Sequence, residues 1–157
     1  MPELSQSCRL RIGRYSQPGQ IYLVTSVVQG RYPIFSDWRL GRLVVEEFRR
    51  AQIQGQAKSL AWVVMPDHFH WLLELGDCSL SRLMKQTKAR SSLSIPKAAK
   101  REGRLWQAGF HDRAIRSDER LCNVARYVVA NPIRSGLVKR LGDYPLWDAI
   151  WVCGLRE

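Results

Sequence analysis

The chain has 157 residues, 45% of them hydrophobic and 10% aromatic, enough for one domain with a real core. Its 25 Lys and Arg against 14 Asp and Glu give a charge of +11, a balance that points to a polyanion such as nucleic acid as partner. No run approaches the roughly 20 apolar residues of a membrane helix, the start has no apolar signal core, and Cys8, Cys78, Cys122 and Cys153 form no Cys-x-x-Cys pair, which argues against a membrane span, a zinc ribbon or a disulfide framework. Free thiols and a cytoplasmic location, beside the nucleoid DNA, are expected.

Residues 1–19 read as a basic arm, with Arg9, Arg11 and Arg14 among Ser, Gln, Gly and Pro. Gln20 to Val28 is a first strand, rich in β-branched and aromatic residues. A helix from about Asp37 to Ile53 is predicted by Leu40, Leu43, Val44 and Phe48, which fall on one stripe; Gly55 suits its stop. The second strand, Ser59 to Met65, is apolar on both faces and therefore central. Pro66-Asp67 turns it tightly into an antiparallel third strand.

Ser79 is a fitting cap for a second helix, with Leu80, Leu83, Met84 and Thr87 inward and Arg82, Lys85, Lys88 and Arg90 outward. A break is expected at Ile95-Pro96, then the basic tract Lys97 to Arg104, then one or two short strand pieces between Leu105 and Arg116. The order β-α-β-β-α-β predicts an α+β fold of ferredoxin-like type, a four-stranded antiparallel sheet with helices on one face. The expected layout is a single domain over 1–157: arm 1–19, core 20–116, an added helix 117–138, and a tail 139–157.

The chemistry concentrates in Met65-Pro-Asp-His68-Phe-His70-Trp71. On a strand, side chains alternate between faces, so His68 and His70 project together while Phe69 and Trp71 go to the other side. Two neutral imidazoles on one face can bind one divalent metal. Two ligands do not make a site, and the added helix supplies further candidates. Ser117 would cap it, and Leu121, Val124, Ala125 and Val128 form its apolar stripe. Arg120, Asn123, Tyr127, Asn131 and Arg134 share a separate polar arc. Pro132 disfavours helical geometry at Asn131, which puts that residue at a kink or at the start of a following turn. A tyrosine, a metal and cations are what phosphodiester chemistry by a phenol requires.

Three segments together resemble one family. Trp62-Val-Val-Met-Pro-Asp-His68-Phe-His70-Trp resembles the His-hydrophobe-His motif of single-tyrosine nucleases. Trp106-Gln-Ala-Gly-Phe-His-Asp-Arg-Ala-Ile-Arg116 resembles the strand region that follows it. Arg126-Tyr127-Val-Val-Ala-Asn131-Pro-Ile-Arg-Ser-Gly-Leu-Val138 resembles the tyrosine helix. The chain thus resembles the Y1 transposases of the IS200/IS605 group, and within them the tyrosine transposases associated with repetitive extragenic palindromes (REP).

That resemblance implies a Mg²⁺- or Mn²⁺-dependent endonuclease and strand transferase for single-stranded DNA hairpins, working through a 5′-phosphotyrosine. It implies His68 and His70 as metal ligands, Tyr127 as nucleophile and Asn131 as an amide ligand, direct or through a water. Expected DNA contacts are Arg9, Arg11, Arg14, Arg82, Lys85, Lys88, Arg104, Arg113 and Arg134, with His111 a structural or surface residue ahead of a DNA contact or base. A monomer or homodimer without a membrane partner is expected. A hairpin-binding protein of the same fold without catalysis is the alternative.

Overall fold

The computed structural model of the chain describes residues 18–116 and 120–150. In β1 (Ile21–Val27), buried and half-buried side chains alternate, as they do in a strand with two unlike faces. Helix α1 (Trp38–Ile53) is started by Asp37, whose carboxylate accepts the Arg39 N–H at 3.1 Å. That bond satisfies one of the donors a helix start leaves over. Gly55, at φ 72°, leads into β2 (Ala57–Met65), and Pro66 and Asp67 alone join β2 to β3 (His68–Leu75). Helix α2 (Leu80–Ala99) starts at Ser79, whose hydroxyl accepts the Arg82 N–H at 3.1 Å. Then come β4 (His111–Ala114), α3 (Leu121–Val129), α4 (Asn131–Arg134) and β5 (Trp147–Ala149).

The strands pair in the order β4-β1-β3-β2-β5, every pair antiparallel. The first four keep the ferredoxin-like arrangement expected from the element order. Helices α1 and α2 cover one face. There Phe48 of α1 stacks on Trp71 at 4.3 Å between ring centroids and meets Phe69 edge-on at 5.2 Å. The buried Trp71 indole N–H is satisfied by the Ser59 hydroxyl at 2.8 Å. On the other face, Ala125, Val128 and Val129 of α3 pack on Leu60, Ala61, Val63, Met65 and Leu72. Covered on both faces, β2 is buried along most of its length, as its continuous apolar run implied.

The structure departs from the sequence expectations in three places. Helix α2 does not break at Ile95-Pro96 but runs to Ala99. Ile95 is fully buried and anchors the last turns, and Pro96 removes one N–H where the helix is about to end. Residues 117–138 are not one helix: α3 ends at Val129 and Ala130 separates it from α4. Pro132 has no N–H for the Val128 carbonyl, yet fits the first turn of a new helix. The expected cap, Ser117, lies outside the described residues, and Arg120 stands at the N-cap without a side-chain cap bond.

The third departure is β5, a strand within the expected tail; the buried Leu146 just before it holds it against β2, accepting the Val64 N–H at 3.0 Å. The expected free thiol stands at Cys78, the half-buried cysteine between β3 and α2. Phe48→Ala should lower the unfolding free energy by about 3–5 kcal/mol, measurable by urea denaturation, because it removes the ring on which Phe69 and Trp71 both rest.

Candidate active site

The β1–β3 register sets Thr25 opposite His70 and Val27 opposite His68, with Phe69 and Trp71 turned into the α1 side. The Thr25 hydroxyl lies 2.7 Å from His70 Nδ1, and the Asp67 carboxylate 2.7 Å from His68 Nδ1. The two rings stand edge to face, 4.9 Å between centroids. With both Nδ1 atoms engaged, the Nε2 atoms are the nitrogens left to meet a ligand. Burial pushes His70 down to about 4, aided by the positive charges of His68 and Arg134, so at neutral pH it is an uncharged imidazole with a lone pair to offer. Burial raises Asp67, but the hydrogen bond and charge of His68, then Arg31 at 3.1 Å, outweigh this and hold the carboxyl below its usual range.

Tyr127 projects from α3, 58% exposed, on the polar arc and away from the stripe buried on the sheet. Arg134, seven residues on, would sit about 10.5 Å further along a straight helix. The turn at Ala130 and the length of the side chain instead bring its guanidinium 4.0 Å from the Tyr127 ring centroid. The same Arg134 charge is felt at His70, so one cation links the tyrosine with the histidine face. Asn131 is half-buried at the first position of α4, which contacts β2. Tyr144, by contrast, donates to the Val64 carbonyl and is pushed up to about 12 by burial, so Tyr127 is the more open of these two phenols.

The expected DNA contacts divide by position. Arg9, Arg11 and Arg14 lie outside the described residues. Arg82 and Lys85 are exposed on α2, which covers the sheet face opposite the histidines. Lys88 donates to the Gln107 and Gly109 carbonyls, binding the loop before β4 to α2. Arg104 is exposed in the loop beyond α2. Arg113 pairs with Leu23 and His111 with Thr25; residues so paired share a face, so both stand on the histidine side. Sequence reading missed Thr25 and Arg31, and took Asp67 only as a turn residue. Thr25 is legible only once the register is known, because nothing in the sequence of β1 marks it out.

The family described as "Transposase IS200 like" matches residues 17–131. The chain belongs to the IS200-like transposases. Among its relatives, a Haemophilus influenzae protein named "Putative REP-associated tyrosine transposase" is 28% identical over 143 residues, covering 81% of this chain and 78% of that protein. The REP-associated tyrosine transposase of Escherichia coli K12 is 31% identical over 87 residues, 54% of this chain and 50% of the relative. Of solved structures, a REP-associated tyrosine transposase bound to a REP hairpin superposes with a TM-score of 0.67 at 24% identity, covering 85% of this chain and 79% of the other. A Deinococcus radiodurans structure described as a transposase superposes with a TM-score of 0.51 at 19% identity, covering 74% and 93%. The fold is thus that of these solved structures, and the chain is a transposase. No helix among the described residues is long and apolar enough to cross a membrane.

Because His70 sits near 4 in the fold against an ordinary value of 6.5, the folded state binds fewer protons than the unfolded chain between those values. The corresponding stability is present above about pH 6.5 and lost as pH falls toward 4. Thermal melts across that window should show a falling midpoint, and His70→Gln, with no group to titrate, should fall less steeply.

Proposed function

We propose that this transposase is a metal-dependent endonuclease and strand transferase that cuts single-stranded REP-type hairpin DNA in the cytoplasm, through a 5′-phosphotyrosine on Tyr127. The observation that carries this reading is the pair of imidazoles fixed through Nδ1 on the sheet face that α3 crosses, with Arg134 over the Tyr127 ring and its charge felt at His70. Hairpin binding comes from the relatives, one of which was solved with a REP hairpin.

Two imidazoles presenting Nε2, with His70 held uncharged by burial, fit a divalent cation. Among the described residues no three His, Cys, Asp or Glu side chains gather to hold a metal; the family resemblance implies an amide as third protein donor, with Asn131 in that place, directly or through water. Such a set, completed by water and phosphate oxygens, suits Mg²⁺ or Mn²⁺. An ion held by these residues would supply Lewis-acid polarisation of the scissile phosphate.

The chain's own residues supply the rest. Asp67 and Thr25 hold the two rings in orientation, as carboxylates and hydroxyls behind metal-binding histidines do. Arg134 places a fixed positive charge beside the reacting phenol, where the phosphate's extra charge would develop. The Tyr127 oxygen forms a bond to phosphorus as the bond to the 3′ oxygen breaks. That oxygen leaves as a 3′ hydroxyl, taking up a proton in place of the one the phenol gives up, and the strand 3′ of the cut stays on the tyrosine through its 5′ phosphate. One phosphoester replaces another, so the reverse step rejoins strands without a nucleotide triphosphate.

Tyr127→Phe removes one exposed oxygen and should leave folding and hairpin binding intact while abolishing the covalent adduct. With wild-type protein, a label 3′ of the cut should remain on the protein in denaturing electrophoresis, and a label 5′ of the cut should leave on a strand ending in 3′-OH. An adduct persisting in Tyr127→Phe would reject the assignment. Hairpin binding by the wild type without any adduct would leave a binding protein that does not cut. For the metal, Thr25→Val and Asp67→Asn should each weaken Mn²⁺ binding about 10- to 100-fold in calorimetric titration, and His68→Ala with His70→Ala should remove it together with cleavage.

A further inference from the structure

At the end of the sheet that carries His68, two loops meet. The chain leaving β1 is bonded to the β2–β3 turn, with Val28 N–H donating to the Asp67 carbonyl at 2.8 Å and Phe35 N–H to the Pro66 carbonyl at 2.9 Å. The chain leaving α2 is tied to the same loop through Gln29 N–H to the Leu105 carbonyl at 2.8 Å and the Val28–Trp106 bridge. Across this seam the Arg101 guanidinium lies over the Tyr32 ring, 3.7 Å from its centroid. The tyrosine remains 49% exposed.

The backbone beneath the pair is unusual in a specific way. Among the described residues, only Arg31 (φ 54°) and Lys100 (φ 53°) hold positive φ without being glycine. Each directly precedes one member of the stacked pair. A left-handed conformation is costly for a side-chain-bearing residue and persists where the surroundings impose it, commonly at ligand-contacting sites. Here both costs fall at the positions that present Tyr32 and Arg101. The loop is also coupled to the histidines: Arg31 pairs with Asp67 at 3.1 Å, and Asp67 bonds His68 at 2.7 Å.

From this we infer that Tyr32 and Arg101 form a stacking platform for one unpaired nucleobase of the DNA strand, next to the scissile site. An exposed aromatic ring backed by a guanidinium is the arrangement on which single-stranded bases stack, with the cation also drawing in the phosphate backbone. The inference rests on the proposed action on single-stranded DNA and adds where a base outside the hairpin is held. Arg31 then has two neighbours to answer to, the platform beside it and the carboxylate behind His68, so the base and the histidine pair are held in one frame.

The test uses the full chain and two probes: a hairpin oligonucleotide with a short single-stranded flank carrying 2-aminopurine at successive positions, and the same hairpin without a flank. The wild type should quench fluorescence at one flank position. Tyr32→Ala should abolish that quenching and weaken binding of the flanked hairpin roughly 5- to 100-fold, with binding of the flankless hairpin unchanged. Tyr32→Phe should retain both, which separates loss of stacking from loss of folding. Equal weakening on both probes, or quenching that survives in Tyr32→Ala, overturns the platform. Adduct formation read on the same samples separates the two readings: adduct without flank quenching overturns the platform alone, whereas flank quenching without adduct supports the platform and counts against the Tyr127 chemistry.

Discussion

The geometry of the histidine pair depends on a contact it does not make, the stack of Phe48 on Trp71. In β3 the side chains alternate without exception through Phe69, His70 and Trp71, so fixing the aromatic residues on the α1 side fixes the imidazoles on the other. A slip of one residue would exchange the two sets, burying two polar rings among aromatic ones. The two-residue link at Pro66-Asp67 and the Trp71–Ser59 hydrogen bond reinforce the same register. The site is therefore specified largely from behind, by the packing of the layer it faces away from.

That division explains what could be read in the sequence and what could not. Periodicity of two in β3 and of about 3.6 in α1 and α2 is a local property, and so the strands, the helix starts at Asp37 and Ser79 and the shared face of His68 and His70 were legible. The outward face of a helix is also local, which is why Arg82 and Lys85 could be named as exposed. Which side of the sheet that helix covers is not local, and the structure puts these two cations opposite the histidines. Thr25 was hidden for the same reason: its importance comes from the residue across from it. Pro132 announced a disturbance at Asn131, but that the turn would carry Arg134 onto Tyr127 depends on how the next four residues pack. The three-residue β5 is held by its pairing with β2 more than by any pattern of its own.

The electrostatics of the site fit a protein with a charge of +11. His70 is kept uncharged by burial and by the positive neighbours His68 and Arg134, while Asp67 remains an anion between His68 and Arg31. The histidine face thus combines one neutral donor, one donor backed by a carboxylate, and surrounding cations, His111 and Arg113 standing on the same side of the sheet. Such a surface attracts a polyanion without charging the very nitrogen that would have to act as a ligand.

The interruption at Ala130 limits α3 to nine residues. A helix of that length is marginal in water when isolated, so its persistence rests on Ala125, Val128 and Val129 against the sheet. The histidines ride on β3, where Phe69, Trp71, Leu72 and Leu73 are wholly buried. The two halves of the site therefore differ in the free energy needed to open them: the strand yields only when the core does, whereas the helix bearing Tyr127 can loosen on its own and re-form in place.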